Sequence, residues 1–200
     1  MLLAILLTAC RDRVNPLTSD SGAAPAAGSI SVYTFPDDWA GVWSGTLQIY
    51  AADGLKQQLP MSLEILPIDS SDNWTHNIIY GPDREAGLRA YELEPIDAER
   101  GFWAVDEKNS IRIEAYYFAN QLTQRFEVMN NLLIATTELT AADRMRWEIT
   151  SGSMDRVSLT GNTVVAGDTI PPVQSFPVVV RQIANLRRVT TAAERSNDAG

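Results

Sequence analysis

The sequence is nearly without cysteine and histidine: its 200 residues hold one of each, Cys10 and His76. A single thiol can form no disulfide within the chain, so the fold must rest on an apolar core, which a chain of this length can supply. One histidine with no carboxylates spaced around it advertises no zinc site. Positive charge is also scarce. Lys and Arg number 16 against 25 Asp and Glu, a formal net charge of -9. No stretch clusters cations with aromatics, which argues against nucleic acid and against charge-driven adhesion to anionic lipid. No apolar run approaches the roughly 20 residues of a transmembrane helix. No long segment carries apolar residues at the 3.6-residue period, which disfavours bundles and βαβ folds. The patterns G-x-x-x-x-G-K-[ST], H-E-x-x-H and G-x-S-x-G are missing. The chain is therefore read as no enzyme, with no cofactor and no metal.

What is present begins with MLLAILLTAC. A short apolar run that ends in small residues has the form of a secretory signal. Leu7-Thr8-Ala9-Cys10 resembles the bacterial lipobox. That resemblance implies cleavage before Cys10, acylation of its thiol by palmitate-type chains, and a membrane anchor. One acyl chain holds weakly, at about 0.8 kcal/mol per buried CH₂, and two or more hold stably. The same resemblance commits Cys10 to acylation and leaves His76 without a thiol partner for catalysis. Arg11, rather than Asp, follows the cysteine, which leans toward the outer membrane of the bacterial cell envelope, facing the periplasm. The expected organisation is a signal peptide over 1–9, a lipidated Cys and flexible linker over 10–30, a β-barrel domain over 31–189 and a disordered tail over 190–200. The linker is rich in Ser, Ala, Gly and Pro and cannot bury enough surface to offset its ordering entropy.

Between the ends the pattern is β. Gly41, Trp43, Gly45, Leu47 and Ile49 fall on one face of a strand, with Val42, Ser44, Thr46 and Gln48 on the other. Leu59, Met61, Leu63 and Ile65 repeat the alternation. Residues 74–80 and 88–93 are weaker candidates. Five consecutive strands follow at 102–106, 110–118, 122–129, 132–139 and 144–150, joined by the short polar turns DEKN, AN, NN and TAAD. Residues 156–165 and 176–183 supply two more, separated by the turn-rich GDTIPPVQS. The expected fold is all-β, a closed antiparallel up-and-down barrel of about 8–10 strands, since closure removes exposed sheet edges.

FPDDWAGVWSGTLQIY resembles the first characteristic segment of lipocalins and related calycin barrels, in which a turn leads into Gly-x-Trp on the first strand. Gly41-Val42-Trp43 matches that tripeptide. The resemblance implies a lipocalin-like barrel in which Trp43 plugs the closed end and a basic residue near the last strand stacks on it. Arg181, in FPVVVRQI, is the residue expected to do so, forming the plug with Trp43.

Small barrels either fill with side chains or enclose a ligand. The large and polar side chains on inward faces give the pocket candidates: Trp74, His76, Tyr91, Tyr117, Gln124, Phe126, Thr137 and Trp147. A polar group such as His76, Gln124 or Thr137 on an apolar face needs a partner, which a ligand or a trapped water can provide. Glu114, Glu127 and Glu148 alternate away from the apolar faces and read as solvated exterior. The leading reading is a lipid-anchored envelope protein whose barrel binds or carries a small apolar molecule. Its partners are then the membrane, through Cys10, and a small hydrophobic ligand. The alternative is a non-enzymatic structural or assembly factor with a filled barrel, which binds an unknown protein partner through its outer surface.

Overall fold

Two-residue turns reverse this chain where short polar joints predict them. Ala119 and Asn120 (φ 47 and 67°), then Met129 and Asn130 (φ 50 and 63°), adopt left-handed backbone. Paired positive φ is the geometry whose twist matches that of flanking strands in a tight hairpin. The second turn sits one residue earlier than the NN dipeptide.

The computed structural model describes residues 33–189. Cys10, the leader, the 10–30 segment and the 190–200 tail lie outside the described residues. The first long hairpin is β1 (Gly41–Ala51) with β2 (Gly54–Ile65). Four short strands follow: β3 (Trp74–Thr75), β4 (Asn77–Tyr80), β5 (Leu88–Arg89) and β6 (Glu92–Asp97). The meander continues as β7 (Phe102–Asp106), β8 (Arg112–Phe118), β9 (Gln121–Val128), β10 (Asn131–Ala141) and β11 (Arg144–Ser153). After β12 (Ser158–Thr160), β13 (Thr163–Val165), β14 (Asp168–Ile170) and β15 (Val173–Ser175), the chain ends in β16 (Val180–Arg188). Helix is confined, among the described residues, to single turns at Asp37–Trp39, Arg84–Gly87 and Ala98–Arg100.

One sheet contains all the strands except β12–β15, and its order closes on itself through residues 74–80, which hold β3 and β4. On one side this stretch pairs with β2, from Met61–Tyr80 to Glu64–Asn77, and the Pro67–Trp74 bridge extends the register. On the other it pairs with residues 88–93, through Ile79–Leu88, Ile78–Arg89 and Trp74–Leu93, and His76 N donates to the Tyr91 carbonyl at 2.8 Å. β3 with β4, and β5 with β6, are thus two interrupted staves, and the ring closes into an antiparallel up-and-down barrel of ten. Its last seam joins β16 to β1.

Alternation then sorts the side chains. Trp43, Leu47, Met61, Leu63, Ile65, Ile78, Leu93, Trp103, Val105, Leu122, Leu139, Met145, Trp147 and Leu186 are buried in one cluster. Each is an inward residue of a half-buried strand, and a fully buried side chain of this size contributes about 1.5–3 kcal/mol. Gly45 keeps the β1–β16 seam tight, because a β-carbon there would collide with the Asn185 carbonyl.

The end at which β1 begins is plugged. The Phe35 ring stacks on Tyr117 at 4.6 Å and meets Trp39 and Trp103 edge-on at 4.9 and 5.0 Å. Trp43 Nε1 donates to the Trp39 carbonyl at 2.9 Å. Arg188 supplies the cation over Trp43, with its guanidinium carbon 4.1 Å from the ring centre. This corrects the expectation for Arg181. In the β1–β16 register Trp43 faces Arg188, whereas Arg181 faces Tyr50 near the other end. The odd-numbered Arg181 also points outward, where it binds Glu148 at 2.6 and 3.1 Å.

A second correction concerns residues 154–179. The expected strands at 156–165 and 176–183 do not form as such. Instead β12 pairs with β15 and β13 with β14, which makes a protruding two-stranded arm between β11 and β16. GDTIPPVQS contains two of its strands rather than only a turn.

Candidate ligand cavity

The barrel interior away from the plug holds a recess of about 130 Å³. His76, Ile78 and Tyr80 reach it from one stave and Tyr91 from the next. Val105 and Glu107 enter from β7 and the residue after it, and Ile113 from β8. Gln124 and Phe126 on β9, Ala135 on β10, and Trp147 and Ile149 on β11 complete the wall. Ala135, flanked by Gln124 and Ile149 in the sheet register, is the smallest side chain in the wall. Tyr80 meets Trp147 edge-on at 6.5 Å across the recess.

His76 is 4% exposed, and its Nδ1 has no hydrogen-bond partner. An unpaired buried polar atom is costly, on the order of 1–3 kcal/mol. Burial drives the His76 pKa down to about 4, opposed by a contact with its own backbone, so the imidazole is neutral at neutral pH. Burial also pushes the Tyr80 phenol up to about 12, with Tyr91 adding to the rise. Tyr91 is raised by burial first and by the Glu107 carboxylate second. Apart from Glu107 the lining is therefore neutral and mainly aromatic and aliphatic, and its histidine has one unpaired nitrogen. The recess suits a neutral molecule about one ring in size that bears one hydrogen-bonding group.

Of the sequence-derived candidates, His76, Tyr91, Gln124, Phe126 and Trp147 come together here. Trp74 packs against the core without lining the recess. Thr137 is buried between Leu122 and Trp147 in the register, closer to the plug. Tyr117 belongs to the plugged end, where its hydroxyl donates to the Tyr33 carbonyl at 2.8 Å. The candidate set leaves out Tyr80, one of the large aromatics of the sequence, which shares the parity of His76 and lines the recess. Sequence reasoning missed Ala135, the smallest residue of the lining. Among the described residues no three of His, Cys, Asp and Glu gather closely enough to hold a metal ion.

The fold and the recess define a closed antiparallel barrel with one plugged end and a small interior site. No family model and no curated protein matches the chain. Among solved structures it is similar to a protein of unknown function of the DUF3598 family from Nostoc punctiforme PCC 73102, at 12% identity and a TM-score of 0.52. The match covers 76% of this chain but 48% of that one, so the chain spans about half the length of the Nostoc protein. A second structure, EF1p2_mFAP2b bound to DFHBI, matches at 10% identity over 76% of this chain and 95% of that one. Its TM-score of 0.31 is too low to bear on this chain. The Nostoc likeness bears on fold alone.

Proposed function

We propose that this is a lipid-anchored, lipocalin-like protein of the bacterial envelope whose barrel binds a small, neutral, largely apolar molecule in the His76 recess. The observation that carries the ligand reading is a buried histidine with an unpaired Nδ1 that lines a largely apolar space only a single ring or a few waters fit. An engineered apolar cavity of roughly 150 Å³ takes up benzene, which sets the scale. A whole lipid or haem exceeds it. The lipocalin-like element is supported by Trp43 under an arginine of the last strand. The anchor rests on the LTAC sequence. Phenol titrated into the full chain should quench Trp147 fluorescence in wild type and not in Ala135→Leu, whose larger side chain fills the recess. Equal quenching in both would overturn the recess as the site. Cys10→Ser should lose acyl labelling and accumulate as uncleaved precursor; processed, membrane-bound protein from this variant would refute the anchor.

One observation favours the second reading, a protein partner on the outside. The arm leaves Val157, Val164 and Val178 at 65, 64 and 70% exposure, with Leu159, Val173 and Phe176 also exposed. Apolar side chains concentrated on one protrusion mark contact surfaces. Under that reading, replacing 156–177 by a short turn leaves phenol binding intact and removes a partner captured by in-cell cross-linking through the arm. The same partner captured without the arm would rule it out.

A further inference from the structure

The barrel wall is incomplete beside the recess. β7 pairs with β8 as far as Asp106–Arg112, and β9 pairs with β10 as far as Val128–Asn131. β8 and β9, however, pair only between Ala115–Gln124 and Phe118–Gln121. Residues 112–114 and 125–128 therefore part company toward the mouth, and a slit of about 670 Å³ opens between them. Ile111, Ile113, Phe126 and Val128 give it an apolar lining. Its charged groups are largely engaged elsewhere: Arg112 Nε donates to Glu94 at 2.8 Å, Glu114 accepts from the Tyr116 hydroxyl at 3.0 Å, and Glu127 accepts from Asn130 N at 2.8 Å. Glu107, Ile113 and Phe126 line both the slit and the recess.

We infer that the recess and the slit form one two-part site, for a molecule with a ring-sized neutral head on His76 and an apolar tail lying between β8 and β9. This deepens the proposed function and rests on its reading of the recess. Continuity decides the occupant. The inner half alone holds one ring, and the space adjoining it is larger, left open by the sheet itself, and lined by four apolar side chains among charged ones that include Arg125. The tail covers Ile111 and Val128, each 47% exposed. A strand from another chain could cap the same unpaired edges, but it would not need the three residues shared with the recess.

The test is a homologous series, phenol, 4-ethylphenol, 4-butylphenol and 4-hexylphenol, titrated into the full chain by calorimetry. Affinity is expected to rise about two- to fourfold per methylene, as burial of each CH₂ requires. Ile111→Asp and Val128→Asp sit at half-exposed positions outside the recess. They should keep phenol affinity within about twofold and flatten the series, at a cost to 4-hexylphenol of about tenfold or more if half of its tail carbons lie in the slit. The phenol value reports the recess and the slope reports the slit. A flat series in wild type, or a slope unchanged in both variants, overturns the slit while leaving the recess. A slope that falls in the variants although phenol itself does not bind keeps the slit and overturns the recess. Failure of every member overturns both.

Discussion

His76 bears on both the chemistry of the recess and the response of the fold to mild acid. In the folded state it stays neutral down to about pH 4, while its ordinary value is 6.5. As pH falls the unfolded chain takes up this proton first. Stability is therefore complete above about 6.5 and is lost progressively toward 4, by about 3 kcal/mol at most. Glu64 and Glu148 behave in the opposite sense. Hydrogen bonds from Arg84 and Arg181, respectively, hold them below 4.5, and their contribution disappears only as pH falls below that value. The interval from 6.5 to 4.5 thus belongs to the only histidine in the chain. Urea unfolding at successive pH values should show the decline in wild type and a flat line in His76→Gln. A wild type indifferent to pH across this interval would mean that His76 is solvated.

Arg181 and Arg188 of β16 make the case for register. Arg188 lies over Trp43, donates from Nη2 to the Asp38 carbonyl at 2.6 Å and from Nε to the Ala142 carbonyl at 3.0 Å, and also binds the Ala40 carbonyl through Nη1. It ties the entry segment, the β10–β11 turn and the last strand together. Arg188→Met should cost about 2–3 kcal/mol in thermal or urea unfolding. Lysine should not rescue it, because a point charge cannot fork to three carbonyls. Arg181→Met, which loses a half-exposed ion pair, should cost less than about 1 kcal/mol. The sequence shows strands and their inward faces well, because each stave is half-buried and alternates cleanly, as β1, β2 and β11 do. It does not show which of two arginines seven positions apart meets Trp43, since that depends on a register fixed 145 residues away. The arm stayed hidden because its strands are three residues long and lie among turn residues. The recess was half legible: inward aromatics can be counted, but a void depends on where an Ala faces a Gln.

At the scale of the molecule, every seam but one joins neighbours along the chain. The exception is β1 with β16, and until it forms β1 and β16 each present a bare edge. Slow, non-local closure follows, with exposure to edge-to-edge association meanwhile. A chain truncated at 179 should aggregate under conditions where the full chain stays monodisperse in light scattering; a soluble monomer would contradict the closed ring. The same seam fixes a direction. The chain enters β1 and leaves β16 on the plugged side, while the recess opens toward the opposite rim. Cargo or support fused at either junction is thereby attached behind the binding site, so a barrel immobilised through its amino-terminal or carboxy-terminal extension should take up phenol as well as the same barrel free in solution.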